Sequence, residues 1–246
     1  MRQFVELVPR DLDTLLEEAR WVVDNYPNIT GINIPDVLRL KNRSHDASKI
    51  LLEAGIQALP HIRCIDRPQV ETIDLVGELI ELGLESVLII SGDPPDNPNI
   101  LTYPVTPMQV VEQLKKRYPT LKVYCALDPY RQSFAKELDY CHYKMQAGAD
   151  GFFTQPFFDA DLARIYLDQL EDTEVFLGIS PVLSEQSLGY WKTRNKAIFP
   201  KNFDLGIESH VALTKTLFSL LESRDQHCYM MPIRMPIRDY MTSVFT

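Results

Sequence analysis

An eightfold alternation of short apolar runs with amphipathic helical stretches predicts a closed (β/α)8 barrel of the TIM-barrel class. Three observations carry that expectation. First, β-branched, apolar segments recur at Gln3 to Val8, Ile29 to Ile34, Ile56 to Cys64, Ser86 to Ser91, Lys122 to Leu127, Gly151 to Gln155, Val175 to Ser180 and His227 to Met231. Second, helical faces lie between them. Leu12, Leu15, Leu16, Ala19, Val22 and Val23 share one side of a 3.6-residue period, and so do Leu162, Ile165, Tyr166 and Leu170. Third, Val87-Leu88-Ile89-Ile90 is continuously apolar, the pattern of a parallel strand covered on both faces. An open doubly wound sheet is the rival, and no glycine-rich G-x-G-x-x-G turn follows the first strand to support it.

The 246 residues contain no Gly/Ser/Pro tract or charge block that would mark a linker, so a single domain over residues 1–246 is expected. A composition of 45% hydrophobic and 24% charged residues is that of a folded globular chain. The net charge of -9 argues against a broad nucleic-acid surface, which needs a basic stripe. No stretch approaches the ~18 apolar residues of a membrane span, and the N-terminus lacks a signal-peptide core, so no membrane contact and a cytoplasmic location are expected. Cys64, Cys125, Cys141 and Cys228 form no C-x-x-C pair, and the five histidines show no H-x-H or H-x-x-x-H spacing. Buried thiols and no metal site follow.

In a barrel of this kind, chemistry sits at the C-terminal ends of the strands. Those ends carry Glu6, Asn33, His61, Asp66, Asp93, Asp128, Gln155, Ser180 and Arg234. Glu6 has apolar neighbours on both sides in Phe4-Val5-Glu6-Leu7-Val8. Burial there would raise its pKa and suit it to general-acid work, whereas a nearby Arg or Lys would make it an ordinary ion-pair partner. Gly92, in Ser91-Gly92-Asp93-Pro94-Pro95, permits close backbone approach or simply turns the chain. His61 reads either as a hydrogen-bonded core residue or as a ligand. Phe152, Phe153, Phe157 and Phe158 surround Thr154-Gln155, an arrangement that packs a core or holds a flat heterocycle by stacking and paired amide hydrogen bonds.

Taken in order, these segments resemble the methylenetetrahydrofolate reductase family. Phe4-Val5-Glu6-Leu7-Val8-Pro9 is similar to its FEFFPP element, and Pro60-His61-Ile62-Arg63-Cys64-Ile65-Asp66 to its PHLTC(I/T)D strand. Ser91-Gly92-Asp93 resembles its RGD-type loop without the arginine. Lys144, Ala147-Gly148-Ala149-Asp150 and Thr154-Gln155-Pro156-Phe157-Phe158-Asp159 resemble its K-x-x-AGA(D/N)-x-x-x-TQ-x-FFD block, and Gly178-Ile179-Ser180-Pro181-Val182 its GI-x-P(V/I) strand. The resemblance implies reduction of 5,10-methylenetetrahydrofolate to 5-methyltetrahydrofolate by hydride from a reduced flavin, in one-carbon metabolism that feeds methionine synthesis. FAD would be the carrier and NADH or NADPH the electron donor, in a homo-oligomer or beside a redox or methyltransferase partner.

By the same resemblance Glu6 would be the general acid, Asp93 would stabilise cationic substrate, and Gln155 with Phe153 would hold the pterin-like ring. Asn33, His61, Gly92 and Asp93 would face the flavin, together with Ala126 and Asp128. Glu137 would suit its ribose and Lys144 its phosphate. Several expected companions are replaced. Asn33-Ile34-Pro35-Asp36 stands for a Thr-Tyr-Gly-Ala-like turn, Ser91 for an arginine, Ala126 for a tyrosine and Tyr130 for a histidine. A divergent folate-binding barrel that transfers one-carbon or methyl groups without flavin is the alternative, and the proline-rich tail after Tyr229 is only loosely like the family's last strand and helix.

Overall fold

Because side chains alternate between the two faces of a strand, a strand that closes into a barrel sends every second residue inward. In the computed structural model of the chain, which describes residues 1–95, 97 and 99–245, eight parallel strands obey that rule. They are β1 (Gln3–Glu6), β2 (Gly31–Ile34), β3 (Ala58–Arg63), β4 (Ser86–Ile90), β5 (Lys122–Leu127), β6 (Gly151–Pro156), β7 (Glu174–Ile179) and β8 (His227–Met230). Each pairs with its sequence neighbours, and β8 closes on β1 through Phe4 opposite Tyr229. The expected (β/α)8 barrel is therefore the observed one.

The outer ring is α1 (Leu12–Asn25), α2 (Ser44–Glu53), α3 (Gln69–Glu81), α4 (Pro107–Arg117), α5 (Phe134–Gln146), α6 (Ala160–Gln169), α7 (Glu185–Arg194), α8 (Ile207–Glu222) and α9 (Ile237–Phe245). The β7–β8 connection carries two of them, so the described residues form one helix more than the eight helical stretches read from the sequence. Side chains start several helices: Asp11 accepts from the Thr14 N–H at 2.9 Å, Asp159 from those of Asp161 and Leu162, and Thr106 with Gln109 forms a reciprocal capping box. None of the described helices is long and apolar enough to cross a membrane. The tail after Tyr229 folds onto its own barrel, with α9 burying Ile237, Tyr240, Met241 and Val244.

Two apolar cores result. Outward strand residues such as Val5, Ile32, Ile62, Ile89, Cys125 and Leu177 pack beneath the helices, and all four cysteines are buried. Inside the barrel lie Phe4, Leu59, Leu88, Tyr124, Phe153, Phe176, Tyr229 and Met231. Phe153 and Phe176 stack at 4.2 Å, and Phe4 meets both edge-on at 5.6 and 5.3 Å. Each such ring contributes about 1.5–3 kcal/mol from burial. At the N-terminal mouth Tyr124 Oη donates to Glu174 at 3.0 Å, and Glu174 also meets Arg2 and His227. Burial pushes His227 down to about 4, so a neutral imidazole sits in this polar plug and the barrel is open only at the other end.

The β6–β7 ladder is regular up to Phe153 opposite Phe176 and then shifts register before Pro156 opposite Gly178. Such irregularities re-aim side chains next to functional sites. Thr154 Oγ1 accepts from the Gly178 N–H at 2.8 Å and donates to the Gln155 carbonyl at 2.7 Å, holding the irregularity in place. Gly178 is required here, because a Cβ would lie 2.6 Å from the Thr154 carbonyl oxygen and 2.7 Å from Met231 Cε. Gly178→Ala is expected to cost about 1–3 kcal/mol through overpacking, read as a lowered urea midpoint. An unchanged midpoint would contradict the close packing of β6 on β7.

Candidate active site

The open end of the barrel is a cleft of about 1200 Å³ whose wall includes Glu6, His61, Gly92, Asp93, Gln155 and Tyr229. Its floor is the aromatic layer, since Phe153 and Leu88 line it from below. Parity explains how the polar groups arrive there. Glu6 follows inward Phe4 by two residues, His61 and Arg63 follow Leu59, Ala126 follows Tyr124, and Met231 follows Tyr229.

Glu6 ends β1 as the first polar side chain above the phenylalanines. Half-buried above the phenylalanines, its carboxyl is pushed up to about 7 by loss of water around it, and a hydrogen bond donated by Tyr229 Oη acts in the opposite direction. Burial and the neighbouring carboxylate in turn hold the Tyr229 phenol well above its usual range. At neutral pH the pair therefore holds a proton close to transfer equilibrium, the condition a general acid needs. No Arg or Lys pairs with Glu6 among the described residues.

His61 Nε2 and Asn33 Oδ1 are hydrogen-bonded, and burial pushes His61 down to about 4, so it is a neutral donor to the amide. Asn33 Nδ2 is buried with no partner among the described residues. Gln155 is exposed between buried Thr154 and Pro156 and faces the cleft. Phe153 is committed to the Phe176 stack and offers the cleft one part of its surface. The Asp93 side chain is exposed at the cleft wall, opposite in character to Glu6.

A charged chain that sequence reasoning did not assign holds Asp93 in place. Arg63 Nη2 donates to the Asp93 carbonyl at 2.6 Å, and Arg63 Nε to Asp66 at 2.9 Å. Arg43 bridges Asp66 at 2.5 Å and Asp36 at 2.7 and 2.6 Å, which ties together the loops after β2, β3 and β4. The signal for Arg63 and Tyr229 was available in the alternation of their strands, where each falls on the inward face with Leu59 and His61, or with His227 and Met231. The Arg43 contacts span separate loops and leave no local pattern.

The remaining positions are engaged within the protein. Lys144 donates to the Ala126 carbonyl at 2.6 Å beneath the Tyr140 ring, 3.9 Å away, and burial lowers its pKa. Glu137 is 0% exposed. It accepts from the Asp128 N–H at 3.1 Å, from Arg131 at 3.1 Å and from Gln132 at 2.7 Å. Asp128 accepts from the Tyr130 N–H at 3.0 Å, and burial raises its pKa. Gly92 adopts φ +84, and a Cβ there would lie 2.9 Å from Arg63 Cζ. The group that approaches this glycine closely is thus the chain's own guanidinium. Among the described residues no three His, Cys, Asp or Glu side chains converge as metal ligands would.

The family model described as methylenetetrahydrofolate reductase matches residues 23–210. A 5,10-methylenetetrahydrofolate reductase of Pectobacterium carotovorum subsp. carotovorum is 24% identical over 168 residues, covering 65% of this chain and 56% of that protein. A probable methylenetetrahydrofolate reductase (NADPH) of Caenorhabditis elegans is 23% identical over 198 residues, covering 76% of this chain and 30% of that one. The chain thus spans about half or less of the length of these relatives. Among solved structures, oxaloacetate acetylhydrolase in complex with 3,3-difluorooxalacetate superposes with TM-score 0.62 at 8% identity, over 97% of this chain and 77% of that one, a likeness of fold alone.

Two outcomes test the Glu6–Tyr229 pair. Tyr229→Phe removes a donor that stabilises the carboxylate, so the Glu6 midpoint is expected to rise above about 7 in a carbon-13 titration of labelled glutamate; an unmoved or lowered midpoint contradicts the pairing. A carboxyl near 7 in the fold and near its ordinary 4.5 when unfolded binds its proton more tightly in the fold. Its ionisation therefore costs stability as pH rises from about 4.5 to about 7, by up to about 3 kcal/mol. Glu6→Gln is expected to gain stability over the parent on going from about pH 5 to about pH 8 in urea unfolding, and a constant difference would show that Glu6 is not desolvated.

Proposed function

The chain belongs to the methylenetetrahydrofolate reductase family, and on that premise we propose that its cleft reduces 5,10-methylenetetrahydrofolate to 5-methyltetrahydrofolate. The observation that carries this reading is Glu6, a carboxyl about half protonated near neutrality, at the base of a cleft whose rim offers Asp93 and Gln155.

Each side chain then has a role set by its chemistry. The Gln155 amide, which offers the cleft both a donor and an acceptor, pairs with the edge of the pterin ring. Phe153 and Tyr229 give that ring an apolar floor. Glu6 delivers its proton to a nitrogen of the five-membered ring that bridges the methylene carbon, and the ring opens to an iminium cation. Asp93, held from behind through its carbonyl by Arg63, places negative charge where that cation develops, a stabilisation exerted without reorganising solvent. Hydride from a reduced carrier reaches the methylene carbon and completes the methyl group, while Tyr229 steadies the Glu6 carboxylate until it is reprotonated from water. A cytoplasmic setting and a folate as small-molecule ligand belong to the same reading.

The residues that the family resemblance assigns to FAD fit that group poorly. Lys144 and Glu137 are spent on Ala126, Asp128, Arg131 and Gln132, and Arg63 covers Gly92.

Glu6→Gln keeps a similar volume and an acceptor for Tyr229 but removes the proton. It is expected to lower the rate of methyl-folate formation by ~10²–10⁴, with folate affinity retained in a fluorescence titration. A variant that reduces the folate at the parent rate would remove Glu6 from the mechanism.

A further inference from the structure

We infer that this cleft takes its hydride directly from a reduced nicotinamide dinucleotide, without a bound flavin; the inference rests on the folate reduction proposed above and names the carrier. Its basis is the guanidinium of Arg63. The side chain is 7% exposed and leans on Gly92, with Cζ and Nη2 at 2.9 and 3.1 Å from where a Cβ would stand. It is held there by Asp66 and by the Asp93 carbonyl, and Asp66 is held by Arg43. A flat ring laid against this loop would have to expel a planar cation and break two charge-assisted hydrogen bonds, each worth about 1.5–3 kcal/mol when made to a charged group.

The adjoining wall, after β5, is equally committed. A dinucleotide fixed by Lys144 and Glu137 would need the ammonium to leave the Ala126 carbonyl and the carboxylate to leave three donors, one of them the Asp128 backbone N–H. That would unfasten the start of the loop after β5. What stays free is volume and exposed charge. The cleft of about 1200 Å³ exceeds the ~300–1,000 Å³ typical of one small-molecule site. Arg39 and Arg10, the latter beside Glu18, line it as exposed side chains that make no side-chain hydrogen bond among the described residues. A dinucleotide that docks its pyrophosphate on Arg10 and Arg39 and leaves after each turnover leaves the Lys144 and Glu137 bonds intact, which a flavin resident on those two residues does not.

The step balances. The C4–H bond of the dihydronicotinamide breaks with its electron pair, and a C–H bond forms at the iminium carbon. The nicotinamide is oxidised to its pyridinium form and the methylene carbon is reduced to methyl. The nitrogen that leaves that carbon keeps the proton from Glu6.

The test uses the purified full chain with 5,10-methylenetetrahydrofolate and NADH or NADPH carrying deuterium at both C4 positions. Direct transfer predicts one deuterium per methyl group in the mass spectrum of the product, since hydride held on a flavin nitrogen exchanges with water. It also predicts a colourless protein, no quenching when FAD is titrated in, and the same rate with and without added FAD. Retention of FAD after gel filtration, turnover that requires FAD, or a methyl group without label would overturn the inference while leaving folate reduction standing. Failure to reduce the folate with either carrier would overturn both readings together.

Discussion

Closure of eight parallel strands imposes one constraint on everything above it: inward positions must be filled, layer by layer, from the plugged end to the open end. At the bottom Arg2, Tyr124, Glu174 and His227 satisfy one another. In the middle three phenylalanines and two tyrosines exclude water. The next inward position on β1 is Glu6, so the same two-residue step that builds the core delivers a carboxyl to its upper surface. Its raised pKa is a consequence of what lies beneath it. A smaller or wetter floor would leave Glu6 an ordinary carboxylate, and the cleft would have no proton to give near neutrality.

Local features added to the regular barrel then fix the groups around Glu6. Gln155 follows inward Phe153 by two residues and lies within the stretch where the β6–β7 register shifts, with Gly178 making room for the close approach of the two strands. Asp93 stands where it does because Arg63 holds its carbonyl, and Arg63 is in turn part of an ionic chain through Asp66, Arg43 and Asp36. Such semi-buried chains are fixed by geometry more than by net energy, since desolvation offsets much of their attraction. Their effect here is to make the loops after β2, β3 and β4 one unit, at the cost of closing the face of Gly92.

Much of this was legible in the sequence. Strand positions follow from apolar runs such as Val87 to Ile90, and the polar residues that end those runs mark the open end of the barrel. Glu6 was legible as a desolvated acid or an ion-paired one, and only the structure shows that its partner is a phenol from the far end of the chain. Tyr229 lies 223 residues away in sequence from Glu6, a separation no local pattern encodes. Lys144 and Glu137 have the right chemistry for a phosphate and a ribose when read as residue types. Their engagement with Ala126 and with the loop after β5 depends on how α5 packs against β5, which residue type alone does not reveal.

The central claim is that burial above the aromatic floor raises Glu6 so that it is still partly protonated near neutrality. Infrared difference spectra between the parent chain and Glu6→Gln, recorded across pH, test it most directly through the carbonyl stretch of a protonated carboxylic acid. The account predicts such a band, absent from the variant, that disappears with a midpoint of about 7. A parent chain whose Glu6 shows only carboxylate bands down to its ordinary 4.5 would contradict it.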